Sequence, residues 1–173
     1  EHYEPLESPI KNLLSGVQNN PVIKVWTTDQ DKEVGDRIGT ADKFPIVATT
    51  YRLVEHWQAG AMSRTLPWLA EAQPELFVEM SKDLASRKGI QNGDKVIVSS
   101  ARGQVTAVAI VTDRVQPLVV DGKKVDLVGL PWHFGWAGIA TGDVVNDLTP
   151  HVGDANTMIP EYKAFLVDIR KAV

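Results

Sequence analysis

Apolar positions along this chain fall into short runs and not into long helical stripes. Pro45-Ile46-Val47-Ala48-Thr49-Thr50 is a brief apolar run ending in hydroxyls, the pattern of a buried strand. Lys95 to Ser99 alternates, with Val96 and Val98 on one face, and Gln104 to Val111 is a second β-rich run. The short Ala101-Arg102-Gly103 loop between them makes the pair a hairpin. Asp121-Gly122 predicts a turn before a strand over Val125 to Leu130, and Ala164 to Ile169 predicts the last strand.

Helical signals are few and local. Thr65-Leu66-Pro67 ahead of Trp68-Leu69-Ala70 reads as a capped helical turn, since proline is tolerated in the first turn. Glu75 to Met80 brings apolar residues back. Ser81 is placed to cap a helix through Lys88, with Leu84 and Ala85 facing inward and Arg87 and Lys88 suiting its C-terminal dipole. Gly89 then supplies the left-handed stop, and Asn92-Gly93-Asp94 a turn. Residues 1–44 behave differently. Pro5, Pro9 and Pro21, with Gly16, Asn19 and Asn20, break every period, although Val22 to Val25 beside Trp26 would make one short strand. So long an aperiodic segment reads as an extended strap over something else, ahead of a barrel-like domain over residues 45–173. The predicted fold is mainly β with short helices.

Composition removes several function classes. The chain has 173 residues, of which 43% are hydrophobic and 23% charged, so one ordinary globular core is affordable. No apolar run approaches the roughly 20 residues of a membrane span, so direct membrane insertion is not expected. The net charge of −4, without a Lys/Arg stripe, argues against nucleic-acid binding. There is no cysteine, which excludes a disulfide framework, a thiolate nucleophile and a cysteine-held iron–sulfur cluster within these residues. The polar start Glu1-His2-Tyr3-Glu4-Pro5 suits the middle of a longer protein, and equally a processed terminus.

A catalytic set is hard to assemble. Histidines stand at positions 2, 56, 133 and 151, but no Gly-x-Ser-x-Gly elbow, His-Glu-x-x-His helix or phosphate-binding Gly-Lys loop accompanies them. The sequence points to a binder. Thr49 through Arg64 follows a buried strand and offers hydroxyls, Arg52, His56, Gln58 and Gly60; such a loop suits a polyanion, or is an ordinary polar surface loop. Pro131-Trp132-His133-Phe134-Gly135-Trp136-Ala137-Gly138 places aromatic rings where they either fill a core corner or line a pocket for a flat heterocycle, with core the readier use for Trp and Phe. Asn146 to Pro150, Gly153 to Asn156 and Pro160 to Lys163 form a long polar stretch. It is either an exposed turn-rich loop or a reader of a pterin or guanine edge and its phosphate.

These stretches together resemble a known family. Thr49-Thr50-Tyr51-Arg52-Leu53-Val54-Glu55-His56-Trp57, Gln73-Pro74-Glu75, Lys88-Gly89-Ile90 with Asn92-Gly93-Asp94, Ser99-Ser100-x-Arg102-Gly103, and Gly153-Asp154-Ala155-Asn156 to Pro160-Glu161-Tyr162-Lys163 are similar to the C-terminal domain of molybdopterin-dependent formate dehydrogenases. The likeness runs over essentially the whole chain, and the Glu1-His2-Tyr3-Glu4-Pro5 start resembles the respiratory formate dehydrogenase-N branch. The resemblance implies a double-psi β-barrel closing over a bis-molybdopterin guanine dinucleotide with a molybdenum or tungsten centre. By position it implies cofactor contacts at Thr50, Arg52, Val54, His56, Gln58, His133, Asn156, Tyr162 and Lys163, and no catalytic or metal-ligating residue in this chain. The metal ligand, the catalytic His and Arg and the [4Fe–4S] cysteines are then expected in earlier domains of the same catalytic subunit. Those domains and an iron–sulfur beta subunit are the implied partners, residues 1–44 strap onto that subunit, and the implied location is periplasmic. Alternatives are the same domain of a nitrate, dimethyl sulfoxide or arsenate reductase, or a non-catalytic double-psi barrel that binds protein. A self-processing pyruvoyl decarboxylase is set aside, because no Gly-Ser pair occurs.

Overall fold

The structure is a computed structural model and describes residues 5–10, 38–153, 157 and 159–173. Six strands close into a barrel in the order β1 (Ile46–Tyr51), β7 (Leu127–Pro131), β2 (Phe77–Met80), β4 (Gln104–Val111), β3 (Lys95–Ser99) and β8 (Phe165–Lys171), which returns to β1. Two neighbouring pairs are parallel, β1 with β7 and β2 with β4, and the other four are antiparallel. This closed, mixed six-stranded barrel with short helices is consistent with the expected double-psi form. Closure removes the free edges that an open sheet would expose.

Period-two patterning fills the interior. Ile46, Ala48 and Thr50 point inward on β1, Val96 and Val98 on β3, and Val105, Ala107 and Ala109 on β4. They meet Val78, Met80, Val128, Leu130, Phe165, Val167 and Ile169 in one core. Register across β1 and β7 runs from Val47 opposite Leu127 to Tyr51 opposite Pro131.

The two helices lie between strands. In α2 (Lys82–Lys88) the Ser81 hydroxyl accepts the Leu84 N–H at 3.2 Å, and Gly89 ends the helix at φ 65°. Leu84 and Ala85 are buried, as their spacing predicted. In α1 (Pro67–Ala72), proline does occupy the first turn, but Thr65 is not the cap. Leu66 takes that position without a side-chain bond, and the Thr65 hydroxyl donates back to the Met62 carbonyl at 3.0 Å.

The predicted strand over Val125 to Leu130 is interrupted. Asp126 separates β7 from β6 (Lys123–Val125), which pairs with β5 (Leu118–Val120) in a small ribbon outside the barrel. The ribbon's turn places Asp121 and Gly122 at φ 49° and 71°, the twist a two-residue hairpin loop requires. Asp126 is engaged elsewhere, since its carbonyl accepts the Val47 N–H and its carboxylate takes the Arg87 guanidinium.

The possible strand at Val22 to Val25, with Trp26, lies outside the described residues. Within the first 44 residues the Leu6 N–H donates to the Glu161 carboxylate at 3.3 Å, and Glu7 makes the more extensive contact with the barrel. The Glu7 side chain is buried against Arg102, and its carboxylate also accepts the N–H groups of Gly39 at 2.5 Å and Leu166 at 2.7 Å. Arg102 in turn donates to the Leu148 carbonyl from two nitrogens, at 2.9 and 2.7 Å. One carboxylate thus joins the N-terminal segment, the β3–β4 hairpin tip and the start of β8. Removing one member of a buried ion pair typically costs about 3–5 kcal/mol. Glu7→Ala should lower the urea unfolding free energy by about that amount, with an unchanged m-value. A loss below about 1 kcal/mol would show that the barrel holds this end without the latch.

Candidate functional site

Strand direction alone brings the three polar stretches together. β1 and β7 run parallel, so the loops that follow Tyr51 and Pro131 leave from the same end of the barrel. β8 is antiparallel to β1, so the stretch before Phe165 arrives at that end too. The tip of the β3–β4 hairpin also lies there, because β3 is antiparallel to β8.

Thr50 joins the first and third stretches. It is buried at the strand end, its hydroxyl and N–H reach the Tyr162 carbonyl at 2.8 and 3.3 Å, and Lys163 Nζ donates to its carbonyl at 2.5 Å and its hydroxyl at 3.2 Å. Partial burial and then the neighbouring Arg52 charge pull the Lys163 ammonium below its ordinary 10.5. Arg52 is exposed, and its guanidinium carbon sits 5.5 Å from the centroid of the Trp132 ring, a cation–π spacing. Trp132 is itself stacked on His133, with centroids 5.4 Å apart and planes 24° apart. Arg52 and Lys163 make no ion pair with a carboxylate among the described residues.

Both buried histidines are committed within the chain. His133 Nε2 accepts the Leu53 N–H at 2.7 Å, and its Nδ1 faces the Gln58 carbonyl at 2.5 Å. His56 Nε2 meets the Gln73 carbonyl at 2.8 Å, and its Nδ1 meets the Ser63 hydroxyl at 3.2 Å. That hydroxyl also accepts the Trp57 N–H at 2.9 Å. The His56 ring packs edge-on to Phe134.

The remaining predicted positions are placed as follows. The Val54 side chain is fully exposed, and Gln58 is exposed at a left-handed φ of 51°. Tyr162 is half-buried and meets Thr50 through its backbone carbonyl. Asn156 lies outside the described residues. Gly60 is needed as glycine, because at φ 81° a Cβ there would stand 2.0 Å from the His133 carbonyl oxygen. Of the three rings between 131 and 138, Phe134 joins the core, Trp132 becomes the platform under Arg52, and Trp136 is 92% exposed. A core role is therefore wrong for Trp136: its neighbours' carbonyls, Gly135 and Ala137, are held by the Arg64 guanidinium, which turns the intervening ring outward.

Sequence reasoning missed Ser63, Gln73 and Arg64 as the groups that fix this end. Only the closeness of Ser63 to His56 in sequence hinted at one of them. A cavity of about 580 Å3 runs from Arg52 and Leu53 along the barrel past Phe77 and Ile110, with Glu55 and Glu79 also in its lining, and one of about 410 Å3 opens beside Arg102, Asn146 and Thr149. No metal-holding group of acidic, histidine or cysteine side chains is found among the described residues. No helix there is long and apolar enough to cross a membrane. The arrangement offers two cations with no ion pair among the described residues, an aromatic platform and hydroxyl and amide groups around a concave end. It suits an anionic heterocyclic ligand and supplies no bond-breaking set.

Residues 46–166 match the family described as "Molydopterin dinucleotide binding domain". The chain is 48% identical over 174 aligned residues to the formate dehydrogenase subunit alpha of Megalodesulfovibrio gigas, and 50% identical over 175 to the nitrate-inducible formate dehydrogenase major subunit of Escherichia coli K12. Each alignment covers 99% of the chain but 17% of the relative, so the chain spans about a sixth of the length of the curated relatives it matches. Among solved structures it superposes on the acetylene hydratase of Pelobacter acetylenicus with a TM-score of 0.59 at 13% identity, covering 76% of this chain and 19% of that one; this speaks for the fold.

The Lys163 environment has a titration consequence. Its folded value lies below 10.5, so the unfolded chain holds that proton more tightly. The associated stability is complete above pH 10.5 and is lost as the pH falls through the folded value. Side-chain 15N titration should show Lys163 deprotonating ahead of the other lysines, and saturating sulfate should move it back up. An unchanged Lys163 value in sulfate would place the anion elsewhere.

Proposed function

Because the chain belongs to the molydopterin dinucleotide binding domain family, we propose that it is the part of a formate dehydrogenase catalytic subunit that holds the bis-molybdopterin guanine dinucleotide. The observation that carries this reading is the placing of Arg52 and Lys163 at one end of the barrel, neither of them ion-paired to a carboxylate among the described residues. A diphosphate supplies the missing charge. Arg52 offers a planar fork that matches two phosphate oxygens, while Lys163 offers a point charge already anchored on Thr50.

The other residues then take graded roles. Thr50 fixes Lys163, and exposed Val54, Gln58 and half-buried Tyr162 supply apolar, amide and phenol contacts to the pterin; Asn156, outside the described residues, is assigned a cofactor contact by the family resemblance alone. His56 and His133 shape the loop that carries Arg52. The bound cofactor supplies the two-electron chemistry at its molybdenum or tungsten. This chain's residues hold and orient the cofactor and exclude water around its phosphates. In the whole subunit the reaction is formate oxidation to carbon dioxide, with electrons leaving through iron–sulfur clusters toward a beta subunit. The metal ligand and [4Fe–4S] cysteines belong to other domains of that subunit, in keeping with a cysteine-free chain. Residues 1–44 strap across those domains, and the location is periplasmic.

A charge-assisted, forked contact contributes roughly 1.5–3 kcal/mol. In the full-length subunit, Arg52→Ala should weaken cofactor retention on the order of tenfold to a hundredfold. Arg52→Lys should recover part of it, while the melting temperature of the isolated chain stays put. Unchanged pterin content with a sharply lower melting temperature would make Arg52 a structural residue. The 173-residue chain alone should turn over no formate, and metal-dependent turnover by it would refute the domain assignment.

A further inference from the structure

We propose that His133 does not touch the ligand but is a positioning residue, whose neutral ring clamps the 52–58 loop and so aims Arg52. The inference rests on the reading of Arg52 as an anion-binding group.

The geometry fixes the tautomer. The Leu53 N–H can only donate, so His133 Nε2 must carry a lone pair toward it at 2.7 Å. The Gln58 carbonyl can only accept, so the proton sits on Nδ1, 2.5 Å away. One ring thus ties the residue after Arg52 to Gln58, whose backbone is held at φ 51°, a conformation side chains rarely adopt. The His133 carbonyl also presses on Gly60 two residues further on. On its other side the ring stacks on Trp132, over which Arg52 lies. Loop and platform are both referenced to one imidazole.

Adding a proton would undo the clamp. Protonated Nε2 would face the Leu53 N–H donor to donor, with no acceptor left for either. His56 is different: its Nε2 faces a carbonyl, which accepts, and its Nδ1 faces a hydroxyl, which can donate or accept, so neither partner is restricted to donating as the Leu53 N–H is. The ring is almost fully buried. Burial lowers its proton affinity from the ordinary 6.5, the Gln58 carbonyl opposes that shift, His56 and Arg52 add to it, and Glu55 opposes it. Arg64, bonded to carbonyls of the loop that carries His133, is the remaining charge packed at this end. Because the folded value is lowered, the clamp is intact above pH 6.5 and is lost as the pH falls through that lowered value.

The test uses this chain and inorganic sulfate, a tetrahedral dianion whose charge is constant through the histidine range. NMR follows the His133 ring, exchange of the Leu53 amide and sulfate binding at Arg52 while the pH is lowered. Leu53 protection should fall at least about tenfold at the midpoint of the ring titration, and sulfate affinity should fall over the same step. Simple electrostatics predicts the reverse, since a new positive charge strengthens anion binding, so the sign discriminates. His133→Gln retains an acceptor that cannot titrate, and should keep both readouts flat; should that variant not fold, the wild-type titration still decides. Leu53 protection indifferent to the ring's charge, or sulfate binding that tightens on protonation, overturns the proposal. A Leu53 step with no sulfate binding at any pH supports the clamp and removes the anion-binding reading of Arg52 instead.

Discussion

Everything at the binding end depends on the parallel pairing of β1 with β7. Strands that run side by side in the same direction must release their following loops at the same end, and no hairpin can join them. The chain therefore travels from β1 through α1, β2, α2, β3, β4 and the β5–β6 ribbon before β7 returns beside β1. The second parallel pair, β2 with β4, makes the same demand on the other half. Loops that are distant in sequence become neighbours because the barrel is mixed and closed. In a plain up-and-down meander the first and fifth barrel strands would also point the same way, but they would not be neighbours, and the Arg52 loop and the Trp132–His133 loop would not meet.

Charge is distributed with the same logic. Carboxylates packed on the barrel are matched: Glu7 with Arg102, Glu79 with Arg114, Asp126 with Arg87 and Asp168 with Lys88. Arg52, Lys163 and the buried Arg64 have no carboxylate partner among the described residues, and Arg64 rests only on backbone carbonyls. The overall charge of −4 conceals this local surplus of cations. Like charges gathered without counter-ions repel one another, so this end of the barrel is electrostatically complementary to an anion.

Most of the strands were legible because period-two burial is written directly in the residues: Val96 and Val98, or Ile46 and Ala48, face the core as the alternation requires. The Ser81 cap and the Gly89 stop were legible for a related reason, since each acts within one turn of its own helix. What could not be read were features decided across space. Asp126 breaks a promising apolar run because it serves Val47 and Arg87, neither near it in sequence. Thr65 loses the cap to Leu66, and Trp136 points outward because Arg64 holds the carbonyls on either side. At the site, residue types picked out stretches that the barrel brings to one end, but not which side chains face outward. His56 and His133 read equally well as ligand contacts or as braces, and only their hydrogen-bond partners separate the two.

The bond between Thr50 and Tyr162 spans 112 residues of sequence, and β8 follows immediately after it. A contact that distant forms late, since the intervening chain must first be ordered and its loop entropy overcome. During synthesis, Arg52 leaves the ribosome long before Lys163 exists to complete its surroundings. Loading of any ligand at this end is therefore a late event in the protein's life, one that waits for the last strand to close the barrel. A ligand that then bridges the two segments would act as a fastener on a long-range seam of the fold.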